Sequence, residues 1–303
     1  MNAKHAALIL FRFASLAAVS LTLLAEGQVG AEPQRVAKDP AMETIKSRDG
    51  TQIAYEKTGT GPALIVVGGA LSGRAGGAEL SHLLGSHLTV YSYDRRGRGD
   101  STDTRPYAVK REIEDIEALI DSAGGSAYVY GKSSGACLAL QAAAALGKKV
   151  KKLALYEAPY NEAAGAAKEW RAFTTKVDAL LAADRRADAI TLFMQFVGAP
   201  AEVVAKMKAS PAWPAMVAMA PTLAYDNAVV GEDRAVPVGI AAKVSASTLV
   251  MDGSASLGPM PFMRPTADKL ASVIPDARRQ IVEGQSHDVN PKVLAPLLLK
   301  FFH

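Results

Sequence analysis

The chain has 303 residues, of which 49% are hydrophobic and 21% are charged, and its formal net charge is +4. These proportions are typical of a soluble globular protein with enough chain for one large or two small domains. Lys and Arg are scattered among Asp and Glu without a long basic run, which argues against a nucleic-acid partner. The single cysteine, Cys137, excludes an intramolecular disulfide, so the fold depends on its core alone.

The N-terminal segment predicts export. Lys4 and Arg12 give a positive start, residues 13–24 are apolar apart from Ser and Thr, and VGA at 29–31 is a small-residue cleavage site. This pattern indicates a signal peptide at 1–31 rather than a membrane anchor, because the apolar run is short for spanning a bilayer. We expect a periplasmic or secreted protein that begins near Glu32 and has no membrane segment after cleavage. An uncleaved anchor is the alternative.

Strand and helix patterns alternate through the next part of the chain. Residues 45–55 contain the turn RDG between two strand-like pieces, which predicts a hairpin. Further strands are predicted at 63–67, 88–93, 127–130 and 152–156, and helices at 77–85, 109–123 and 134–146. Strands that alternate with helices predict a parallel sheet with helices on both faces.

Residues 160 to about 240 differ from the segments before them. They are rich in Ala, Met and Trp, are helical in pattern, and lack a clear strand. The strand pattern returns at 248–251, followed by a helix at 265–273, a strand at 279–282 and a closing helix at 291–302. We therefore predict one mostly parallel, doubly wound α/β core, formed by residues 32–159 and 244–303, with an inserted helical cap at 160–243.

The pentapeptide GKSSG at 131–135 has the pattern G-x-S-x-G. It follows a predicted strand and opens a predicted helix, which is the context in which this pattern presents a nucleophilic serine. Ser133 is the predicted nucleophile, and the backbone N–H of Ser134 is placed to donate to an oxyanion. The helix N-terminus would favour the negative charge that develops there. The alternative is a glycine-rich turn with a capping serine.

A serine nucleophile needs a general base. His287 lies in EGQSHD at 283–288, directly after the last predicted strand, and therefore at the sheet edge where Ser133 lies. His82 and His87, in and just after an early helix, fit less well. His287 is the predicted base, with a surface loop histidine as the alternative.

These motifs resemble those of the α/β-hydrolase superfamily from about residue 45 to the end. VGGA at 67–70 follows the first parallel strand, and YDRRGRGDS at 93–101 is similar to the family's D-x-R-G-x-G-x-S turn. The G-x-S-x-G turn at Ser133 and the Gly-x-x-His element at His287 follow, so four features match the family in the same order along the chain. The resemblance implies the α/β-hydrolase fold, and an oxyanion hole formed by the backbone N–H groups of Ala70 and Ser134. The charged turn is interpreted as mainly structural.

The chain departs from the family pattern at the catalytic acid. After the penultimate strand it reads MDGSASL at 251–257, where the usual acid position is Ser256 and Asp252 comes early. Some members carry the acid after the strand that follows the nucleophile helix, and here that residue is Glu157. We favour Glu157 as the acid, with Asp252 as the alternative.

The resemblance implies a serine hydrolase that cleaves a small carboxylic ester or lactone through an acyl-enzyme. Perhydrolase (haloperoxidase-like) or amidase activity on the same triad is an alternative, as is a catalytically inactive binding protein. A serine rather than an aspartate at position 133 argues against dehalogenase and epoxide hydrolase chemistry. No cofactor or metal is implied, because Cys/His ligand spacing and the glycine-rich phosphate-binding fingerprints are missing.

The predicted cap contains large apolar residues that could line a substrate pocket. Trp213, Met216 and Tyr225 are the candidates that we select, beside Met207 and Met219. The alternative is that these side chains form only the core of the cap.

Overall fold

A computed structural model describes residues 41–303, so the predicted signal peptide lies outside the described residues. Within this range the chain forms eight strands that belong to one sheet. The strands are β1 (Met42–Lys46), β2 (Gln52–Thr58), β3 (Ala63–Val67), β4 (Thr89–Tyr93), β5 (Ala127–Lys132), β6 (Val150–Tyr156), β7 (Ser247–Gly253) and β8 (Ala277–Val282).

The same residues form eleven α-helices, and short 3₁₀ turns lie between some of them. The helices are α1 (Ala78–Leu84), α2 (Val109–Ser122), α3 (Ser134–Leu146), α4 (Ala166–Ala182), α5 (Arg186–Phe196), α6 (Ala201–Lys208), α7 (Trp213–Met219), α8 (Leu223–Val230), α9 (Val238–Ala241), α10 (Met263–Val273) and α11 (Pro291–Phe302).

The order of the strands in the sheet is β1-β2-β4-β3-β5-β6-β7-β8. β1 and β2 form the predicted antiparallel hairpin, and β2 also pairs antiparallel with β4. All remaining neighbours are parallel. The predicted mostly parallel sheet is thereby confirmed, and its parallel strands end at one common edge.

Helices cover both faces of the sheet, which explains the continuous apolar sequence of the inner strands. On β3, Leu64 belongs to the core beneath α1 and α11, together with Leu84 and Leu298. Its neighbour Ile65 belongs to the core on the other face, where α2, α3 and α10 pack, together with Ile116. The predicted doubly wound arrangement is confirmed.

Helices α4 to α9 lie between β6 and β7, and we call residues 166–241 the helical insertion. Its helices α8 and α9 pack against α3, and α8 also packs against α2. Cys137 on α3 is fully buried, and burial raises the pKa of its thiol to about 12. No helix in the range 41–303 is long and apolar enough to cross a bilayer.

Candidate active site

Ser133 lies at the sharp turn between β5 and α3. Its φ of 58° and ψ of −133° place it in a conformation that non-glycine residues rarely adopt. A Cβ on Gly131 would come within 2.4 Å of the Gly135 carbonyl oxygen, and a Cβ on Gly135 within 2.2 Å of the Val67 oxygen. Both flanking glycines are therefore required by the close approach of the backbone. Such strain costs of order 1–3 kcal/mol and is common at functional sites.

A cavity of about 230 Å³ separates the edge of the sheet from the helical insertion. Ser133 and His287 both line it, as does Ala70. The rest of its surface is mainly apolar. The large apolar side chains that line it are Trp170, Phe193, Phe196, Met260, Phe262 and Met263. The structure therefore brings the predicted nucleophile and base to one cavity with an apolar wall.

Glu157 follows β6 and contacts His287. Its Oε2 lies 2.7 Å from His287 Nδ1, and its Oε1 accepts a hydrogen bond of 2.8 Å from the backbone N–H of Gly253. The residue is 2% exposed. Burial by itself raises the pKa of Glu157, but the hydrogen bonds from His287 and Gly253 outweigh it and hold the pKa below its ordinary value. The carboxylate is therefore ionised at neutral pH.

The loop that carries His287 is held by the strand before Glu157. The hydroxyl of Tyr156 donates a 2.6 Å hydrogen bond to the carbonyl oxygen of Ser286. A Cβ on Gly253 would lie 2.1 Å from the carbonyl oxygen of Gln285, so the end of β7 touches the same loop. The ring of His287 is thus positioned from two neighbouring strands.

Asp252, the alternative acid, has different partners. It is fully buried at the end of β7 and accepts hydrogen bonds from Arg279 and, at 3.2 Å, from Arg264. Ser256, at the usual acid position, is also fully buried. The structure brings His287 to Glu157 and pairs Asp252 with arginines.

Ala70 and Ser134 are the residues predicted to supply oxyanion donors, and both line the cavity of Ser133. The loop after β3 packs tightly on the start of α3, since a Cβ on Gly69 would lie 2.9 Å from Ser133 Cβ. Ser134 is the first residue of α3, where backbone N–H groups have no partner inside the helix. This arrangement suits the stabilisation of a negative oxygen.

The charged turn at 93–101 contacts the loop that follows β3. Arg98 donates to the carbonyl oxygen of Gly69 at 2.7 Å and to Asp226 at 2.8 Å. Arg95 donates to the other oxygen of Asp226 at 2.7 Å, and the hydroxyl of Ser134 donates to the same oxygen at 2.8 Å. The structural interpretation of the turn agrees with these contacts.

Asp226 is a residue that the sequence did not single out. It lies on α8 of the helical insertion and is 3% exposed. Burial raises its pKa, but the charges of Arg98 and Arg95 prevail and lower it below the ordinary value. Because buried arginines need counterions, the three arginines of the charged turn were the available indication that such a residue exists.

The structure does not bring Trp213, Met216 and Tyr225, which were predicted to line the substrate pocket, to the cavity of Ser133. None of the three is among the described residues that line the cavity of Ser133. Tyr225 stacks on Tyr107 at 3.8 Å between ring centroids and donates to Asp103 at 2.6 Å, while Trp213 and Met216 pack against the core. The helical period identifies apolar faces but not which face meets the cavity.

The described residues, 41–303, contain no group of three or more His, Cys, Asp or Glu side chains placed to hold a metal ion.

The model of the alpha/beta hydrolase family matches residues 64–296. The crystal structure of an alpha/beta hydrolase from Sphaerobacter thermophilus is 50% identical, with a TM-score of 0.78, and the match covers 86% of this chain and 100% of that one. An uncharacterized hydrolase of Bacillus subtilis, YraK, is 34% identical over an alignment of 99 residues, and the match covers 30% of this chain and 35% of that protein.

More distant structures share the fold. The enol-lactonase from Burkholderia xenovorans is 20% identical with a TM-score of 0.63, and the match covers 86% of this chain and 99% of that one. A thermophilic esterase from Thermogutta terrifontis is 19% identical with a TM-score of 0.65, covering 86% and 98%. The sheet, the glycine-flanked turn at Ser133 and the match over residues 64–296 lead to one conclusion: the chain belongs to the alpha/beta hydrolase family.

Proposed function

We propose that the protein is a serine hydrolase that cleaves a small carboxylic ester or lactone through an acyl-enzyme. Ser133 is the nucleophile, His287 the general base and Glu157 the acid that orients it. The observation that carries the proposal is the 2.7 Å contact between the buried Glu157 carboxylate and His287 Nδ1, at the cavity that Ser133 lines. An esterase and an enol-lactonase among the structures with the same fold support this substrate class.

The order of steps follows from the placement of these groups. Because Nδ1 of His287 faces Glu157, Nε2 is the nitrogen available to Ser133. Nε2 takes the hydroxyl proton as Ser133 Oγ attacks the acyl carbon, and the backbone N–H groups of Ala70 and Ser134 bind the resulting oxyanion. One such donor typically contributes about 2.7–4 kcal/mol to lowering the barrier.

Collapse of the tetrahedral intermediate breaks the bond to the alcohol oxygen, which leaves with the proton held by His287. A water molecule then attacks the acyl-enzyme, and His287 takes one of its protons and returns it to Ser133 Oγ. The product is a carboxylic acid. Throughout, Glu157 stays ionised and stabilises the imidazolium that forms in each half-reaction.

The test is turnover of p-nitrophenyl esters from acetate to decanoate, combined with labelling by a fluorophosphonate probe. The parent should hydrolyse at least one chain length and label at Ser133, whereas Ser133→Ala and His287→Ala should lose turnover. Ser272→Ala, which changes an exposed serine on α10, is the control and should behave as the parent. A parent that neither turns over any ester nor labels would contradict the proposal and favour an inactive binding protein.

Export is a separate proposal, and it depends on the sequence of residues 1–31 alone. We propose that the mature protein begins near Glu32. N-terminal sequencing of the protein recovered from an osmotic-shock fraction or culture medium should show this start. Recovery of the intact N-terminus from the cytosol would contradict it.

A further inference from the structure

Arg234 is a buried cation on the wall of the cavity that Ser133 and His287 line. It follows α8 and is 9% exposed. Its Nε donates a 2.6 Å hydrogen bond to the carbonyl oxygen of Pro159. It forms no ion pair with any carboxylate in the described range 41–303, unlike the other buried arginines of that range. Burying an unpaired charge is costly, so this cation needs an explanation.

Aromatic rings hold the guanidinium in place. Its central carbon lies 4.6 Å from the ring centroid of Phe262, 5.3 Å from that of Trp170 and 5.4 Å from that of Phe196. Such contacts orient a cation without neutralising it. Burial lowers the pKa of Arg234 to about 10, so the group is still protonated at neutral pH. The two terminal nitrogens are therefore charged donors on a rigid support.

No carboxylate at the cavity compensates this charge. Asp226 also lines the cavity, but Arg95 and Arg98 already neutralise it. Glu157 is bound to His287. Asn227 also lines the cavity, and its amide nitrogen is buried without a hydrogen-bond partner among the described residues. The charge of Glu169 acts on Arg234, but Glu169 forms no ion pair with it among the described residues and is not among those that line the cavity. The cavity is thus mainly apolar, with one cation that lacks an ion-pair partner and a donor that lacks an acceptor.

We propose that Arg234 forms a carboxylate subsite, and that the substrate is a small ester or lactone that bears a second, ionised carboxyl group. The inference rests on the proposed function for the position of the reacting ester at Ser133. A guanidinium offers two parallel N–H donors that match the oxygens of a carboxylate. The apolar side chains around it would surround the carbon chain between the carboxylate and the ester. Arg234 would therefore bind the substrate and take no part in bond breaking.

The first test compares monomethyl adipate with methyl 6-methylheptanoate, in which an isopropyl group replaces the carboxylate. Monomethyl glutarate and pimelate cover shorter and longer spacings. The parent should prefer the best charged substrate by about 30-fold or more in kcat/KM, mainly through KM. Arg234→Gln should abolish this preference, and Arg234→Lys should retain part of it. Arg185→Gln, an exposed arginine of the helical insertion, is the matched control and should keep the full preference.

A preference that is absent in the parent, or equal in the parent and Arg234→Gln, would overturn the inference. Circular dichroism should show that Arg234→Gln is folded. If that variant does not fold, the kcat/KM preference for the charged substrate, measured in the parent and in Arg234→Lys, still tests the inference.

The second test measures binding without turnover. Monomethyl adipate is titrated calorimetrically into Ser133→Ala and into Ser133→Ala combined with Arg234→Gln. The second protein should bind about 30-fold more weakly or not at all. If binding depends on Arg234 but the parent protein hydrolyses no ester, the subsite would be upheld and the proposed function overturned. Hydrolysis through Ser133 with binding that is independent of Arg234 would do the reverse.

Discussion

Two neighbouring strands each end in a buried carboxylate, and the two groups have different surroundings. Glu157 follows β6 and contacts His287 at the cavity, whereas Asp252 is the penultimate residue of β7 and contacts Arg264 and Arg279. Both are almost completely buried, so both need a hydrogen-bonding or charged partner. The two carboxylates therefore share burial at the edge of the sheet and differ in their partners. A histidine at the cavity suits Glu157 to catalysis, whereas two arginines suit Asp252 to stabilising the fold.

Backbone geometry explains how adjacent positions reach different partners. Tyr156 pairs with Met251, and Asp252 continues β7 in regular register with Ile281. Glu157 leaves the strand with a φ of 48°, in the left-handed region that non-glycine residues rarely occupy. Since successive side chains of a strand point to opposite faces, this departure from the strand conformation redirects the carboxylate toward the loop of His287.

The largest expected effect comes from neutralising each carboxylate in turn and measuring turnover. Glu157→Gln should lower kcat/KM for a p-nitrophenyl ester by about 10³–10⁴-fold, because it removes the charge that stabilises the imidazolium and fixes its tautomer. Asp252→Asn should lower it by less than about 10-fold, because that carboxylate contacts arginines. Equal losses in the two variants, each folded by circular dichroism, would contradict the different roles of the two strand ends.

Asp226 is a third buried carboxylate to compare with Glu157 and Asp252. It contacts two arginines and lies beside the turn that carries Ser133. Asp226→Asn should lower the free energy of unfolding by about 3–5 kcal/mol, because it leaves the buried Arg98 without a counterion and Arg95 with Glu112 alone. Urea denaturation measures this change. Asp188→Asn, which changes a half-exposed carboxylate on α5, is the control and should change stability by less than about 0.5 kcal/mol.

Asp252→Asn should have a smaller effect on stability than Asp226→Asn. Its two arginines are 20% and 30% exposed, so water can solvate them when the carboxylate is removed. We expect a loss of about 2–3 kcal/mol in the free energy of unfolding. A loss equal to that of Asp226→Asn would show that exposure of the partner does not set the cost.

The sequence predicted the sheet and its helices because apolar periodicity and glycine-containing turns are local features. β3, α3 and α11 begin and end where the pattern placed them. Ser133 and His287 were selected in the same way, each by a motif that directly follows a strand. The catalytic acid was harder to select, because the role proposed for Glu157 depends on a contact with a residue 130 positions away. The resemblance to a known family, not the local pattern, indicated it.

The residues that line the cavity around Arg234 could not be predicted from the sequence. Trp170, Phe196 and Phe262 come from three separate segments, and only the folded chain brings them together around Arg234. An isolated arginine near the end of a helical stretch has no distinguishing pattern, since most arginines are exposed. Its significance arises from the absence of a counterion among the described residues, which is a property of the assembled site.

The smallest expected effect is on the stability of the protein at low pH, and it comes from Glu157. The pKa of Glu157 lies below its ordinary value in the folded protein, because hydrogen bonds from His287 and Gly253 outweigh the effect of burial. A carboxylate of this kind stabilises the fold above its unfolded pKa, and this contribution is lost as the pH falls through the folded pKa. Part of the decline in stability on acidification therefore belongs to this one group.

Glu157→Gln should flatten that decline. Urea denaturation of parent and variant between about pH 7 and about pH 3 measures the difference between their free energies of unfolding. That difference should be greatest at neutral pH and should shrink as the pH falls below the usual carboxyl range. Glu202→Gln, an exposed carboxylate on α6, should show a difference that stays near zero throughout. A Glu157→Gln difference that is constant with pH would mean that the contact with His287 stabilises the fold equally with a neutral side chain, so that the charge of Glu157 serves the reaction alone.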